Sequence, residues 1–260
     1  MCADRLRDIG RYACARRAST GRCHHLAVSH READDDLLAG QRDYYERRAP
    51  EYDEWWQRRG RYDQGHIEKA AWDDQVGTVQ TALSTFDTTG DVLELAGGTG
   101  WWTRCLARTA KRLTVVDSSA EALSINRART DRSDVQYIQA DVFARSSMER
   151  FDVVFFSFWL SHVPRARFRE FWNLVATLLR PQGHVFLIDN RHDPIIRHQD
   201  PYVLDHRDDV QIRRLADGSK HRVVEVFYEP AQLEDLLRSE GWQFVLAGTP
   251  RFIYGGGHRR

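Results

Sequence analysis

Apolar runs and stretches of helical spacing take turns along this chain. Asp91–Leu95, Leu113–Asp117, Val135–Val142, Phe151–Ser157 and His184–Asp189 are short and mostly apolar. Runs of that length suit strands covered on both faces rather than buried helices. Between them lie segments that predict helices: Trp101–Thr109, Ala120–Arg129 and Arg165–Arg180, the last with Phe168, Phe171, Trp172, Val175, Leu178 and Leu179 on one side. A longer helix is predicted over His66–Thr85, its apolar side being Ile67, Ala70, Ala71, Val76, Val79, Ala82 and Leu83. Pro230 starts a helix through Leu237, and Trp242–Leu246 and Phe252–Tyr254 read as two last strands before a tail, Gly255–Arg260, expected to fray. Strands alternating with helices predict an α/β domain with a doubly wound, largely parallel sheet.

Two regions break the alternation. Gln41–Arg59 reads as two short helices divided at Pro50, with Tyr45, Tyr52 and Trp56 compatible with one aromatic face. That face either packs a cap onto the sheet domain or forms a lid over a ligand. From Asn190 to Val210 the period is lost, and histidines and arginines interleave. Val210–Leu215 and His221–Phe227 around Asp217-Gly218 then predict a hairpin. Segment 190–228 is thus an insertion after the fifth strand, where substrate-recognition loops sit in such folds.

The first strand runs straight into Ala96-Gly97-Gly98-Thr99-Gly100. Strand, glycine turn and helix bring bare backbone N–H groups to one spot suited to a polar or anionic ligand. A dinucleotide fingerprint would place its third glycine at Thr103, and Glu94 sits where a pyrophosphate would lie, so a cationic ligand fits better. Asp117 ends the second strand, 19 positions after Gly98, where an acid can accept from both hydroxyls of a ribose; a helix N-cap role is its alternative, with Ser118 or Ser119 also able to cap. Asp141 and Val142 end the third strand, and Ser157 and Phe158 the fourth. The carboxyl ends of successive strands line one crevice in a doubly wound sheet.

The run Val92-Leu-Glu-Leu-Ala-Gly-Gly-Thr-Gly100 resembles the first motif of the class I S-adenosylmethionine-dependent methyltransferases, with Ala96 at the first glycine. Leu178-Leu-Arg-Pro-Gln-Gly-His184 resembles their late motif, with Gln182 in place of a glycine. Tyr45, Ala49, Tyr52 and Asp53 are similar to the entry segment of the ubiquinone/menaquinone-type small-molecule branch. The resemblance spans residues 41–254. It implies a seven-stranded Rossmann-like sheet of order 3-2-1-4-5-7-6 under an N-terminal helical cap (41–65), with S-adenosyl-L-methionine as cofactor and S-adenosyl-L-homocysteine as product. It further implies cofactor contacts at Tyr45, Tyr52, Glu94, Ala96, Gly97, Gly98, Gly100, Asp117, Ser118, Asp141, Val142, Ser157 and Phe158. Asp141 would accept from the adenine amine, and the Val142 N–H would meet the ring.

Composition narrows the partners. The 38 basic residues equal the 38 acidic ones, which gives no electrostatic case for nucleic acid, and no Asn/Asp-Pro-Pro-aromatic motif follows the fourth strand. No apolar run approaches the roughly 18–20 residues of a membrane span, so a cytoplasmic enzyme is expected. Arginine far outnumbers lysine, which occurs only at 69, 111 and 220, a trace of GC-rich coding that hints at a bacterial source. Residues 1–40 lack an apolar period and predict a disordered or loosely helical leader before the domain at 41–260. Cys2, Cys14 and Cys23 are too widely spaced for a structural zinc site, and the insertion's histidines lack ligand spacing, so no metal is expected. Cys105 is expected to be a core thiol.

Methyl transfer needs alignment, exclusion of water and, for a hydroxyl acceptor, a base. His162, just past the fourth strand, is the first choice for that base, with Tyr45 beside it and His66 and Asp189 behind; supporting the turn before Pro164 is the competing role for His162. The expected function is methylation of a small organic acceptor, O-methylation foremost, in bacterial specialised metabolism. A quinone-type C-methyltransferase and an adenosyl-binding protein without turnover are the alternatives. The oligomeric state is left open.

Overall fold

The computed structural model describes residues 35–144, 149–192, 203–207 and 209–260. The chain divides into compact units at 1–36 and 37–260, and everything below concerns the second. Residues 1–34 of the leader with its cysteines, and His198, Arg197 and Pro201 of the insertion, lie outside the described residues, while 37–40, expected to end the leader, are helical.

Helix α1 ends at residue 48 (37–48 of this unit), a 3-10 turn covers Ala49–Glu51 and α2 is Tyr52–Trp56, so the division expected at Pro50 is there. Then come α3 (His66–Thr85), β1 (Asp91–Leu95), α4 (Thr103–Leu106), β2 (Arg112–Asp117), α5 (Ala120–Arg129), β3 (Gln136–Gln139) and β4 (Phe151–Ser157). The remainder is α6 (Phe168–Leu178), β5 (Leu179–Asn190), β6 (Val203–Arg207), β7 (Val210–Arg214), β8 (Lys220–Val224), α7 (Pro230–Ser239), β9 (Trp242–Gly248) and β10 (Phe252–Arg259).

The main sheet has the order β3-β2-β1-β4-β5-β10-β9. With β6–β8 set aside as an insertion, β9 and β10 are the sixth and seventh strands, and this is the expected 3-2-1-4-5-7-6. The first five are parallel, while β10 runs antiparallel between β5 and β9. Strand side chains alternate between two cores. Leu93, Leu95, Val154 and Phe156 face Phe171, Trp172, Val175 and Leu178 of α6, and Val92, Val153 and Phe155 face Trp72, Val79 and Leu83 of α3. Burial on both faces explains why these strands are nearly all apolar. Each fully buried large side chain contributes roughly 1.5–3 kcal/mol.

The structure departs from the sequence pattern in four places. Helix α4 is one turn, not a helix over Trp101–Thr109. Helix α3 is rotated from its expected face: Ile67 is 72% exposed, and Trp72, Gln75, Val79 and Leu83 point inward. Trp72 sets that rotation by packing against Trp55, Trp56 and Phe252, and Gln75 is buried because its side-chain oxygen accepts from the Arg251 N–H at 3.0 Å. The expected frayed tail is part of β10, paired on both sides. Its glycines permit this, because a Cβ at Gly256 would come within 2.5 Å of the Phe86 ring. Finally, β6 adds a third strand to the expected hairpin, giving a small antiparallel sheet β6-β7-β8.

Candidate active site

The glycine turn is shaped from below and open above. Added to Gly97, a Cβ would strike Val115; at Gly100 it would lie 2.6 Å from Asn126 Oδ1, whereas at Gly98 it would meet nothing within 4 Å. Asn126 of α5 threads the turn together, donating to the carbonyls of Gly97 and Gly98 at 3.2 Å and to Thr103 Oγ1 at 2.8 Å. Glu94 is 1% exposed and accepts from Thr103 Oγ1 at 2.6 Å. Burial holds its carboxyl up at about 8, with Asp117 adding to the effect. Glu94, Gly97 and Gly100 therefore stand beneath the cleft, where they pack the turn, and are not on its wall; only the turn's other residues face it. With α4 a single turn, the N–H groups on offer belong to the turn itself.

A cleft lies above, between the strand ends and the cap. Ten of the expected contact residues line it: Tyr45, Tyr52, Ala96, Gly98, Asp117, Ser118, Asp141, Val142, Ser157 and Phe158. The parallel register brings the strand-end residues together, since Leu95 is level with Val116 and Phe156, and Asp117 with Gln139, while Tyr45 and Tyr52 come from the cap helices. Asp117 is half-buried, and burial raises its carboxyl pKa against the pull of two backbone bonds. Gly98 N–H donates to its Oδ2 at 2.8 Å and Ser119 N–H to its Oδ1 at 2.9 Å, leaving each oxygen a further lone pair. The helix cap falls to Ser119, whose Oγ accepts from the Ala122 N–H, so Asp117 is released from capping α5.

The cap is bonded to the turn. Asp53 Oδ1 accepts from Thr99 Oγ1 and Trp101 Nε1, both at 2.9 Å, and its other oxygen pairs with Arg129, which also donates to Thr99. Trp55 and Trp56 pack edge-on against Phe158 and Trp72. From α1, Arg42 reaches Asp141 Oδ2 at 2.7 Å while Phe143 N–H donates to Oδ1. Sequence reasoning had not singled out Arg42, Gln41, Thr99, Phe143 or Trp159 as lining residues. Asp53 did carry a signal, since it follows Tyr52 in the entry segment.

Tyr45 and His162 meet at the cleft's far end. The Tyr45 hydroxyl lies 2.7 Å from His162 Nε2, and His162 Nδ1 lies 2.7 Å from the Val224 carbonyl. A carbonyl only accepts, so Nδ1 carries the proton and Nε2 accepts from Tyr45. Burial drops the His162 pKa to about 4 and raises that of the Tyr45 hydroxyl well above its usual value. Both groups are neutral near pH 7. Asp189 is held at about 6 by burial and accepts from the Ser161 and Asn190 N–H groups at 2.8 Å; it braces the turn bearing His162 and does not line the cleft. His66 is exposed at the start of α3, also off the wall. Cys105 is half-buried, with burial raising its thiol pKa. Among the described residues no group of three or more His, Cys, Asp or Glu is placed to hold a metal, and no helix is long and apolar enough to cross a membrane.

These groups fit an adenosyl sulfonium ligand. Asp117 offers lone pairs to a pair of hydroxyls, Asp141 and the Val142 backbone stand at the next strand end, and Gly98 leaves the turn open. Comparison with known proteins agrees. A family profile described as a methyltransferase domain matches residues 92–183. The ubiquinone biosynthesis O-methyltransferase of Serratia proteamaculans (strain 568) is 35% identical over 112 residues, 42% of this chain and 45% of that protein, so the match spans under half of the curated relative. The solved DhpI–SAH complex is 33% identical with a TM-score of 0.70, covering 86% of this chain and 97% of that one; a DhpI–SAM–HEP complex aligns equally well. The N-methyltransferase NodS of Bradyrhizobium japonicum WM9, bound to S-adenosyl-L-homocysteine, is 19% identical with a TM-score of 0.56 over 85% of this chain and 98% of that one, a likeness of fold alone. The sheet, the cleft and these relatives together place the chain among the class I S-adenosylmethionine-dependent methyltransferases, enzymes that use S-adenosyl-L-methionine as methyl donor.

Proposed function

We propose that this enzyme methylates an acidic hydroxyl, of phenol or enol type, on a small acceptor, and that Tyr45 and His162 take up the hydroxyl proton. The observation that carries this reading is the 2.7 Å approach of the Tyr45 hydroxyl to a deprotonated His162 Nε2 on the cleft wall. Bound in the cleft, the cofactor supplies an electrophilic methyl carbon on a sulfonium. Asp117, Asp141 and the Val142 N–H would hold its adenosine end, with Ser118, Ser157 and Phe158 beside them. Tyr52 and the capping helices exclude water. As the acceptor hydroxyl is methylated, its proton would pass to Tyr45 Oη. Tyr45's own proton moves to His162 Nε2, and the imidazolium keeps its Nδ1–H on Val224.

Acidity selects among hydroxyls. His162 titrates at about 4 and a phenol near 10, so removing the proton in advance would cost about 8 kcal/mol. Transfer must therefore accompany methylation, and an aliphatic alcohol, still less acidic, fits worse. The cleft walls support a planar acceptor, with Phe143, Phe158 and Trp159 among them. The O-methyltransferase relative supports oxygen as the methylated atom, and the arginine-rich composition supports a bacterial source. The test is S-adenosyl-L-homocysteine release with a panel of phenols, quinols, aliphatic alcohols, amines and carboxylates. Turnover is expected on phenolic acceptors, with Tyr45→Phe and His162→Gln each lowering kcat about a hundredfold or more. Methylation of amines or of ring carbon, or an unchanged kcat in both variants, would overturn the reading.

A further inference from the structure

Strand β8 is the outer strand of the small sheet, bonded to β7 on one side. At its end Val224 turns both backbone groups to the cap and the cleft. Its N–H donates to Gln41 Oε1 at 2.9 Å, and its carbonyl accepts from His162 Nδ1 at 2.7 Å. Gln41, 3% exposed on α1, uses its other end as well, donating from Nε2 to the His162 backbone carbonyl at 3.1 Å. The amide's orientation is forced, because Val224 N–H needs the oxygen and the His162 carbonyl needs the nitrogen. Two residues on, Val226 N–H donates to the Ser161 carbonyl at 2.7 Å, so the insertion's edge is stitched to the turn that carries the histidine.

We propose that Gln41 is a positioning residue for the reaction: it closes a ring of hydrogen bonds through Val224 and His162 that keeps the imidazole in its Nδ1–H form, with Nε2 aimed at the Tyr45 hydroxyl. The inference rests on the reading that the Tyr45–His162 pair takes the acceptor's proton. A neutral imidazole accepts at one nitrogen only. With the proton on Nε2, the ring would present a donor to Tyr45 and the relay would be blocked. Val224 selects the tautomer with a backbone carbonyl, and Gln41 holds that carbonyl in place. The insertion thereby acts on the chemistry through its backbone. The charged and titratable groups around the imidazole are Tyr45 and Arg48 from α1, Arg213 from β7 and Glu225 just after β8. Arg48 and Arg213 oppose protonation of the ring and Glu225 favours it. Asp189 reaches the same turn through the Ser161 N–H.

The experiment is nitrogen NMR of the full chain labelled with 15N-histidine, the His162 signals being identified by their loss in His162→Gln. Wild type is expected to show a protonated Nδ1 and a bare Nε2, titrating near 4. In Gln41→Met and Gln41→Asn, the second keeping the amide but falling one methylene short, the signals are expected to show mixed tautomers. Their midpoint should not rise above about 4, because the imidazole stays buried and loosening the Val224 carbonyl removes an interaction that raises its pKa, in protein that still melts cooperatively. A wild-type proton on Nε2 would overturn the proposal even if neither variant folds. So would unchanged His162 signals in folded Gln41→Met. Because the spectrum needs no turnover, it separates the two ideas: an expected spectrum with unimpaired Tyr45→Phe kinetics sinks the proton relay and leaves the positioning role standing.

Discussion

Two residues carry the strain of this chain's departures from glycine. Ala96 and Gln182 stand where the family motifs place glycine, and both adopt left-handed backbone, with φ of 52° and 67°. A side chain there costs about 1–2 kcal/mol, part of which glycine returns to the unfolded state as entropy. Ala96→Gly is therefore expected to stabilise by roughly 0.5–1 kcal/mol, a rise of about 2–4 °C in Tm per kcal/mol for a domain of this size, read by thermal denaturation. The motif was legible in the sequence, but the strained angle was not. Glu94 makes a second case. Its folded carboxyl keeps its proton up to about 8, against 4.5 when unfolded, so the native state binds more protons between those values. Stability from this group is present below pH 4.5 and is lost as pH rises toward 8. Asp189 has largely titrated by about 7, and His162, whose unfolded value is 6.5, gives back only about 0.4 kcal/mol above that pH, which leaves the window from 6.5 to 8 mainly to Glu94. Urea denaturation is expected to show a loss of about 2 kcal/mol across that window, and Glu94→Gln to flatten the slope.

At the scale of elements, the cap is held both by polar side chains and by the core, since Trp56 is part of the buried cluster that holds Trp72, Val92 and Phe155. Asp53 alone ties α2 to Thr99, Trp101 and Arg129, and thus to the turn and α5. Charge-assisted bonds of this kind are each worth about 1.5–3 kcal/mol. Asp53→Asn keeps the shape and removes the charge, and it is expected to weaken S-adenosyl-L-homocysteine binding about tenfold, chiefly by faster release, as measured by calorimetry and stopped flow. Unchanged release would show that the aromatic packing of Trp55 and Trp56 suffices to hold the cap. Periodicity located α3 to the residue but misjudged its buried face, because alanine and isoleucine spacing says nothing about where one large tryptophan will dock. The glycine-rich end of β10 was misread for a related reason. Glycines look like a loose tail until their strand is seen to lie under Phe86 and beside β9.

For the molecule as a whole, cofactor binding and fold stability are linked through the same strand ends. A ligand that binds only the native state stabilises it by mass action, about 2.7 kcal/mol at a hundred times its Kd. S-adenosyl-L-homocysteine at that excess is expected to raise Tm by several degrees in wild type. Asp117→Ala, lacking the carboxylate that faces the cleft, is expected to lose most of that shift, and its ligand-free Tm to fall as well, because the Gly98 and Ser119 N–H groups lose their acceptor. A full shift in the variant would remove Asp117 from the site.

The order of apolar runs and glycine turns was enough to determine the alternation of strands and helices and the row of acids at the strand ends, because local period and strand length are properties of neighbouring residues; the strand order came from the motifs' family resemblance. Of the thirteen expected cofactor contacts ten share one cleft, eight of them sitting at or just past a strand's end and two, Tyr45 and Tyr52, brought over it by the cap. Tertiary structure alone decided that Glu94, Gly97 and Gly100 support the turn from beneath, since their neighbours Thr103, Val115 and Asn126 come from other elements. It alone joined Gln41, Tyr45, His162 and Val224, residues up to 183 positions apart along the chain. Hydrogen bonds between such distant groups depend on how the cap and the insertion fold back over the sheet, and no local pattern encodes that approach.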